Sequence, residues 1–433
     1  GRKGSWGCTD QLLINKMISD EIKCHQRNAF FMWFDYRKAF DSVPHEWIRK
    51  AMALAKLPSD ITQAICNLMK SWQTRIFLRT QTQTIQTQDI KYQNGVLQGD
   101  CLAMMLFMLS INRLSHLIRQ MDGYVAGPPG LRDAKITHLL FVDDLKTFDR
   151  GRFQAEEKLK LITQFTNDIG MKFGQDKCAY LNIERGKRTP LGINIDVNGL
   201  TLKELEDGDA YQYLGIEEDL SYRGPLCKNR VTKEYFARVK KIWRSNLNAG
   251  NKILAHNSFA MPLLTPTFGI IDWSKSEICD LDVKTRKLLT LYGAFHRNSD
   301  VDRLYAPRKD GGRGLCSALD TYYSRLITLG HHLTLSSGQN EFIAKVCIHE
   351  KVRLLKSSRD LCTALEIPTP QIIQPTHSIA TAVKTIIKQK HTSTWLQKPM
   401  HGYLNRKAIT PATDMASSNA WMSSRKITSH VEG

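Results

Sequence analysis

The sequence predicts an α+β fold, with strands and helices mixed in the first half and helices alone in the second. Three observations carry this expectation. The run Ala29-Phe30-Phe31-Met32-Trp33-Phe34 is apolar at every position, the pattern of a strand buried on both faces. Leu139 to Leu145 has apolar residues on both sides of the Asp143-Asp144 pair, which reads as two buried strands joined by a tight turn. From Ser221 onward the strand patterns give way to helical ones. A chain of 433 residues is long enough for two or three domains with a substantial core.

Taken in order, Gly1 to Gly7 is glycine-rich and basic, and Thr9 then caps a helix with Asp10 in its first turn. Leu13, Met17, Ile18 and Ile22 give that helix an apolar face, which fades near His25 to Asn28. The Ala29–Phe34 strand ends directly in Asp35. Pro44 and His45 open a helix to about Lys56, with Trp47, Ile48, Met52 and Leu54 available for packing. Arg75 to Arg79 and Ile90 to Tyr92 form a hairpin around a Thr/Gln-rich turn. Gly95-Val96-Leu97-Gln98-Gly99-Asp100 is a glycine-bounded loop able to lie close to a ligand, and Asp100 caps an apolar helix from Cys101 to about Ile118. Gly127-Pro128-Pro129-Gly130 breaks the chain before the strand that leads into Asp143.

Beyond Asp144, Leu159, Ile162, Phe165 and Ile169 mark a helix from about Phe153 to Asn167, ended by Gly170. A strand from Cys178 to Ile183 follows Lys177. Asn198-Gly199 centres a hairpin, and Tyr213 to Ile216 supplies one more short strand and turn. After Ser221, the residues Tyr235, Phe236, Val239, Ile242, Trp243 and Leu247 are the apolar stripe of a main helix. Another helix runs from about Lys275 to Tyr292, Arg308 to Gly314 is a tight basic turn, and weaker helices lead to a Ser/Thr/Ala-rich tail past Thr410.

A formal charge of +19 points to a polyanionic partner, nucleic acid before membrane. No apolar run approaches the ~18–20 residues of a membrane span, and no apolar stretch follows Arg2 and Lys3 to make a signal peptide. The ten cysteines are scattered, which fits free thiols in a reducing compartment. Cys347 and His349, with His331 and His332 upstream, read as ordinary structural residues before a zinc site. Between Ser221 and Ala255 stand nine Lys/Arg against the single acid Glu234, a concentration that favours a phosphate-contacting face.

An Asp-Asp pair alone is more often an acidic surface turn. Here a third carboxylate, Asp35, leaves a buried strand as Asp143 does, and neighbouring strands would bring the three to one sheet edge. Adjacent carboxylates in a largely apolar site are costly unless cations neutralise them, and two divalent ions suit phosphoryl and nucleotidyl chemistry alike.

The order of motifs decides between these chemistries. Phe34-Asp35-Tyr36-Arg37-Lys38-Ala39-Phe40-Asp41-Ser42-Val43-Pro44-His45, then Gly95 to Asp100, then Phe141-Val142-Asp143-Asp144 resemble palm motifs A, B and C of reverse transcriptases. The wording of motif A is similar to non-LTR (LINE-type) retrotransposons. Gly170 to Lys177 resembles motif D, Tyr213-Leu214-Gly215 the primer grip of motif E, and Gly4 to Leu13 the fingers block before motif A.

The resemblance implies a right-hand polymerase: fingers and an antiparallel palm sheet over residues 1–220, a helical thumb over 221–335 and a C-terminal helical linker region over 336–433. It implies RNA-templated extension of a DNA primer or target with deoxynucleoside triphosphates. Asp35, Asp143 and Asp144 would hold two Mg²⁺ ions, with Mn²⁺ as the alternative. Tyr36, Phe40, Gln98, Gly99 and Lys177 would contact the nucleotide, Phe40 as the gate against a ribose 2′-hydroxyl. Tyr213, Leu214 and Gly215 would grip the primer, and Arg230, Lys233, Lys240, Lys241 and Arg244 would meet the nucleic-acid backbone. The family's setting is an intracellular ribonucleoprotein of cytoplasm and nucleus, with no membrane partner.

The chain departs from the family at Val142, where alanine is usual, and at Ala103-Met104, where Ser-Pro is usual; both changes leave the aspartates in place. No endonuclease is recognisable, and a start without methionine suggests a fragment whose remaining triphosphate-binding charge lies upstream. The rival readings are a catalytically weakened or co-opted element remnant that binds RNA, and a two-metal nuclease, which leaves motifs B, D and E without a role.

Overall fold

The structure, a computed structural model, describes residues 6–80, 83–127, 134–337, 353–367 and 376–399. The chain divides into two compact units, residues 1–221 and 222–433.

The first unit is built on an antiparallel sheet whose strands run in the order 195–197, 200–204, 179–184, 29–34, 144–149, 138–141. Only the pairing of Ala179–Glu184 with Leu200–Glu204 is parallel. The all-apolar strand Ala29–Phe34 lies at the centre and is buried at all six positions. Its even residues Phe30, Met32 and Phe34 join a core with the helices His45–Leu54, Ala103–Gln120 and Arg152–Asp168. Its odd residues Phe31 and Trp33 lie on the opposite face, with helix Cys8–Cys24 and the hairpin strands Tyr211–Tyr213 and Ile216–Glu218 among their neighbours. The Asn198-Gly199 hairpin forms as expected, both residues having positive φ (50° and 82°) as a type I′ turn requires.

Several local expectations are corrected. The first helix starts after Gly7, and Thr9 makes no cap; Asp10 instead accepts a hydrogen bond from the Trp6 amide. Leu54 and Leu247 are exposed, because each falls beyond the buried stripe of its segment. Helix Ser59–Lys70 was not foreseen: only Met69 is buried, so it contributes little apolar pattern to read. The 73–91 hairpin splits into two short ladders, Gln73–Thr74 with Ile90–Lys91 and Phe77–Arg79 with Thr84–Gln86. Of Gly127 to Gly130, the stretch 128–130 lies outside the described residues, as do Cys347, His349 and the tail past Thr410.

The second unit is helical throughout its described residues. Its long helix Gly224–Arg244 buries Cys227, Val231, Tyr235, Val239 and Trp243. Helices Ala318–Ser337, Arg353–Ala364 and Thr376–Gln397 enclose a separate cluster of Ile327, Cys362, Ile367, Ile379, Val383 and Ile387. Residues 308–314 begin as a 3₁₀ turn (Arg308–Asp310), with Arg313 partly buried. No helix among the described residues is long and apolar enough to cross a membrane.

His391, on the last of these helices, lies between two carboxylates, Nδ1 2.7 Å from Asp302 and Nε2 2.8 Å from Asp320. Burial alone would lower its pKa, but Asp320 and Asp302 outweigh it and hold the imidazole up at about 9. The folded value exceeds the unfolded one, so this stabilisation is complete below about pH 6.5 and is lost as pH rises through about 9. Thermal melts should show the second unit losing about 2–3 kcal/mol between pH 7 and 10, and His391→Gln should flatten that loss.

Candidate active site

Asp35 follows the last residue of the central strand, and Asp144 opens the neighbouring strand. Phe34 pairs with Leu145 and Phe141 with Asp144, leaving Val142-Asp143 as the two-residue turn of the hairpin. The three aspartates therefore collect at one sheet edge, as the strand pattern predicts. Val142 takes φ +60°, a conformation that costs a β-branched residue energy, and its side chain packs partly against the core.

Electrostatics at this edge is short of positive charge. Burial is the main force raising the pKa of Asp143, with the Asp35 carboxylate adding to it. Asp144 is pushed up to about 6 by burial first, then by Asp143 and Asp35. Lys177 opposes both shifts and lies 3.3 Å from Asp35 Oδ2, although the lysine side chain is 65% exposed. Among the described residues no trio of His, Cys, Asp or Glu is already closed around an ion-sized point. Two carboxyls raised by burial and by neighbouring carboxylates, with Lys177 opposing the shift, nevertheless fit a site completed by cations.

Backbone contacts hold this edge in place. Gly174 donates its amide to the Asp35 carbonyl at 2.8 Å, and a Cβ at Gly174 would come within 3.0 Å of Asp35 Oδ2. Arg37 donates its amide to the Lys172 carbonyl at 2.9 Å. A cavity of about 800 Å³ beside Asp35 is lined by Arg37, Lys38, Lys172 and Lys177, with Asp176 as a further acid. Arg37, Lys38 and Lys172 were not in the expected set, although all three lie inside the stretches that resemble motifs A and D.

The glycine-bounded loop lies against the turn after Asp35. Gly95 and Val96 donate to the carbonyls of Val43 and Phe40 at 2.7 and 2.8 Å, and Gln98 Nε2 reaches Asp41 at 3.3 Å. Gly99 takes φ +96° in open space, and both it and Gln98 are exposed. Asp100 accepts from the Leu102 amide at 2.8 Å, and the helix begins at Ala103. Phe40 stacks on Phe107 with ring centroids 4.5 Å apart and remains partly exposed.

Two expected contacts are corrected. Tyr36 is 3% exposed, stacked on Phe173 and bonded to Thr166, so its side chain belongs to the core and only its backbone faces the site. Tyr213 is 1% exposed, because strand alternation turns it onto the sheet; the tip of the hairpin is Leu214-Gly215, both at positive φ.

The geometry is that of a polymerase palm, and the comparison with known proteins agrees. Residues 6–217 match the family described as Reverse transcriptase (RNA-dependent DNA polymerase). This part of the chain belongs to that family. Similar proteins include the Retrovirus-related Pol polyprotein from type-1 retrotransposable element R2 of Nasonia vitripennis, 23% identical over 310 residues, covering 70% of this chain and 29% of that protein. The R2 polyprotein of Popillia japonica is 27% identical over 185 residues, covering 42% of this chain and 29% of that one. The chain thus spans under a third of the length of these two relatives, which bear out the non-LTR resemblance of motif A. The telomerase of Candida tropicalis, solved with a fragment of telomeric RNA, is 14% identical, covering 88% of this chain and 52% of that chain with a TM-score of 0.37.

In the second unit, the reverse transcriptase resemblance placed a basic face on helix Gly224–Arg244. Lys228 pairs with Glu277 at 2.8 Å, Arg238 pairs with Glu234 at 2.9 Å, and Lys252 is buried against the Trp243 carbonyl, which removes three of the nine cations. Arg230, Lys233, Lys240, Lys241 and Arg244 are exposed. At about 100° per residue all five fall on the side of the helix away from the buried stripe.

Proposed function

We propose that this chain extends a DNA primer on an RNA template with deoxynucleoside triphosphates. The observation that carries the reading is the collection of Asp35, Asp143 and Asp144 at one sheet edge inside a domain of the reverse transcriptase family. These three residues would hold two divalent ions, Mg²⁺ or Mn²⁺, which when bound lower the pKa of the primer 3′-hydroxyl and neutralise the leaving pyrophosphate. Lys177, 3.3 Å from Asp35, would meet the triphosphate and supply a proton. The amide of Tyr36 and the Gln98-Gly99 loop would line the incoming nucleotide, and Leu214-Gly215 would bear on the primer. The domain reading is fingers and palm to 220, thumb over 221–335 and linker over 336–433.

Primer extension by the purified chain on an RNA template tests this directly; binding without extension would favour the RNA-binding remnant. Two further outcomes are expected. Phe40→Ala removes the ring that rests on Phe107 and should let ribonucleotides compete with deoxyribonucleotides; unaltered discrimination in an active variant would make Phe40 a core residue only. Replacing Lys240, Lys241 and Arg244 by Gln should reduce the log–log salt slope of RNA binding by roughly 0.7–0.9 per lost contact. An unchanged slope would show those side chains to be merely solvated.

A further inference from the structure

A lysine with no exposed surface lies two residues beyond Asp144. Strand alternation puts Asp144, Lys146 and Phe148 on one face of the sheet, and the register pairs Lys146 with Trp33 and Phe148 with Phe31. Lys146 is therefore the next rung inward from the carboxylate edge, about 7 Å along the strand. Its ammonium is 2.8 Å from Glu218 and 2.7 Å from the Asn15 amide oxygen, and lies 4.6 to 5.5 Å from the ring centres of Phe31, Trp33, Phe148 and Tyr213. Glu218, itself 1% exposed, also accepts from the Trp33 indole at 2.7 Å.

Two of these partners belong to the Tyr211–Glu218 hairpin: Tyr213 covers the ammonium and Glu218 binds it. Tyr211 stacks on Trp33 at 5.1 Å. The hairpin is thus fastened to the sheet through one charged group directly behind the aspartates. A buried charge pair of this kind is seldom retained for stability, since an apolar pair of like volume often serves as well. What its directional hydrogen bonds favour instead is one arrangement of the hairpin against the sheet.

We propose that Lys146 is a positioning residue for the primer end: with Glu218 and the surrounding rings, it sets the Leu214-Gly215 tip at a fixed distance from Asp35, Asp143 and Asp144. The proposal rests on the polymerase reading and assigns a role to a residue outside the metal and nucleotide sets.

The test uses the full chain. Lys146→Met alone would strand the Glu218 charge and threaten folding, so it is paired with Glu218→Gln. Hydrogen–deuterium exchange across residues 211–218 is expected to accelerate roughly tenfold, with Ala29–Phe34 unchanged. Primer extension should lose roughly tenfold in kcat, with the KM for deoxynucleotide within about twofold, because the triphosphate contacts lie elsewhere. Lys146→Met/Glu218→Gln with unchanged exchange at 211–218, or with a lowered melting temperature and an undiminished kcat, would overturn the proposal. Absence of extension by the unmodified chain would instead count against the polymerase reading, while the exchange result would still decide whether Lys146 holds the hairpin.

Discussion

Asp143→Ala is expected to abolish primer extension while leaving RNA binding within about twofold of the unmodified chain. The carboxylate sits in a two-residue turn, half-buried, so its loss opens no cavity and should not unfold the sheet. On the proposed reading it would remove a ligand for cations that contribute several kcal/mol to the transition state. About 4 kcal/mol corresponds to roughly three orders of magnitude in rate. RNA affinity should survive because the proposal assigns it to lysines and arginines on other elements. Extension rates measured at saturating nucleotide, beside RNA binding by the same preparation, check both halves; a rate within tenfold of the unmodified chain would remove Asp143 from the catalytic set.

A large structural effect is expected at Gly95. Its φ of +82° is left-handed, and a Cβ there would meet the backbone of Asp41 at 2.7 Å. Backbone cannot rotate aside as a side chain can. Gly95→Ala should therefore cost about 2–4 kcal/mol, from strain and from the forced separation of the loop and the Asp41 turn. The hydrogen bonds that the Gly95 and Val96 amides donate to the Val43 and Phe40 carbonyls would loosen with it, displacing Gln98 and Gly99. Gly99→Ala is the control: its φ is also positive, but nothing lies within 4 Å, so only about 1 kcal/mol is at stake. Melting temperatures of the two variants should separate clearly, and comparable values would show that the close approach at Asp41 is unimportant.

The parts of the site that could be read beforehand are those whose signal is local. Ala29 to Phe34 is apolar throughout because both faces are covered, and the acid at its end is visible for the same reason. Asn198-Gly199 and Gly170 declare their turns through backbone conformations that other residues resist. Side-chain direction was harder to read. Tyr36 and Tyr213 stand in functional motifs, yet alternation sends both rings into the protein. Lys146 was missed altogether, because a lysine in a strand reads as solvent-facing, and its burial depends on a glutamate far along the chain. The same is true of Lys228 and Lys252, counted as surface charge until Glu277 and the Trp243 carbonyl were found beside them.

The central place of Ala29–Phe34 has a consequence for synthesis. Both its neighbours in the sheet, Asp144–Asp149 and Ala179–Glu184, are made long after it. At about 5–20 residues per second, the strand waits on the order of ten seconds for its first partner and longer for its second. During that interval six consecutive apolar residues, three of them aromatic besides Trp33, have both hydrogen-bonding edges open. Such a segment is prone to pair with copies of itself. The nascent chain is thus most vulnerable to aggregation before residue 184 leaves the ribosome, and a chaperone that binds short aromatic segments would act there, on the strand that later presents Asp35.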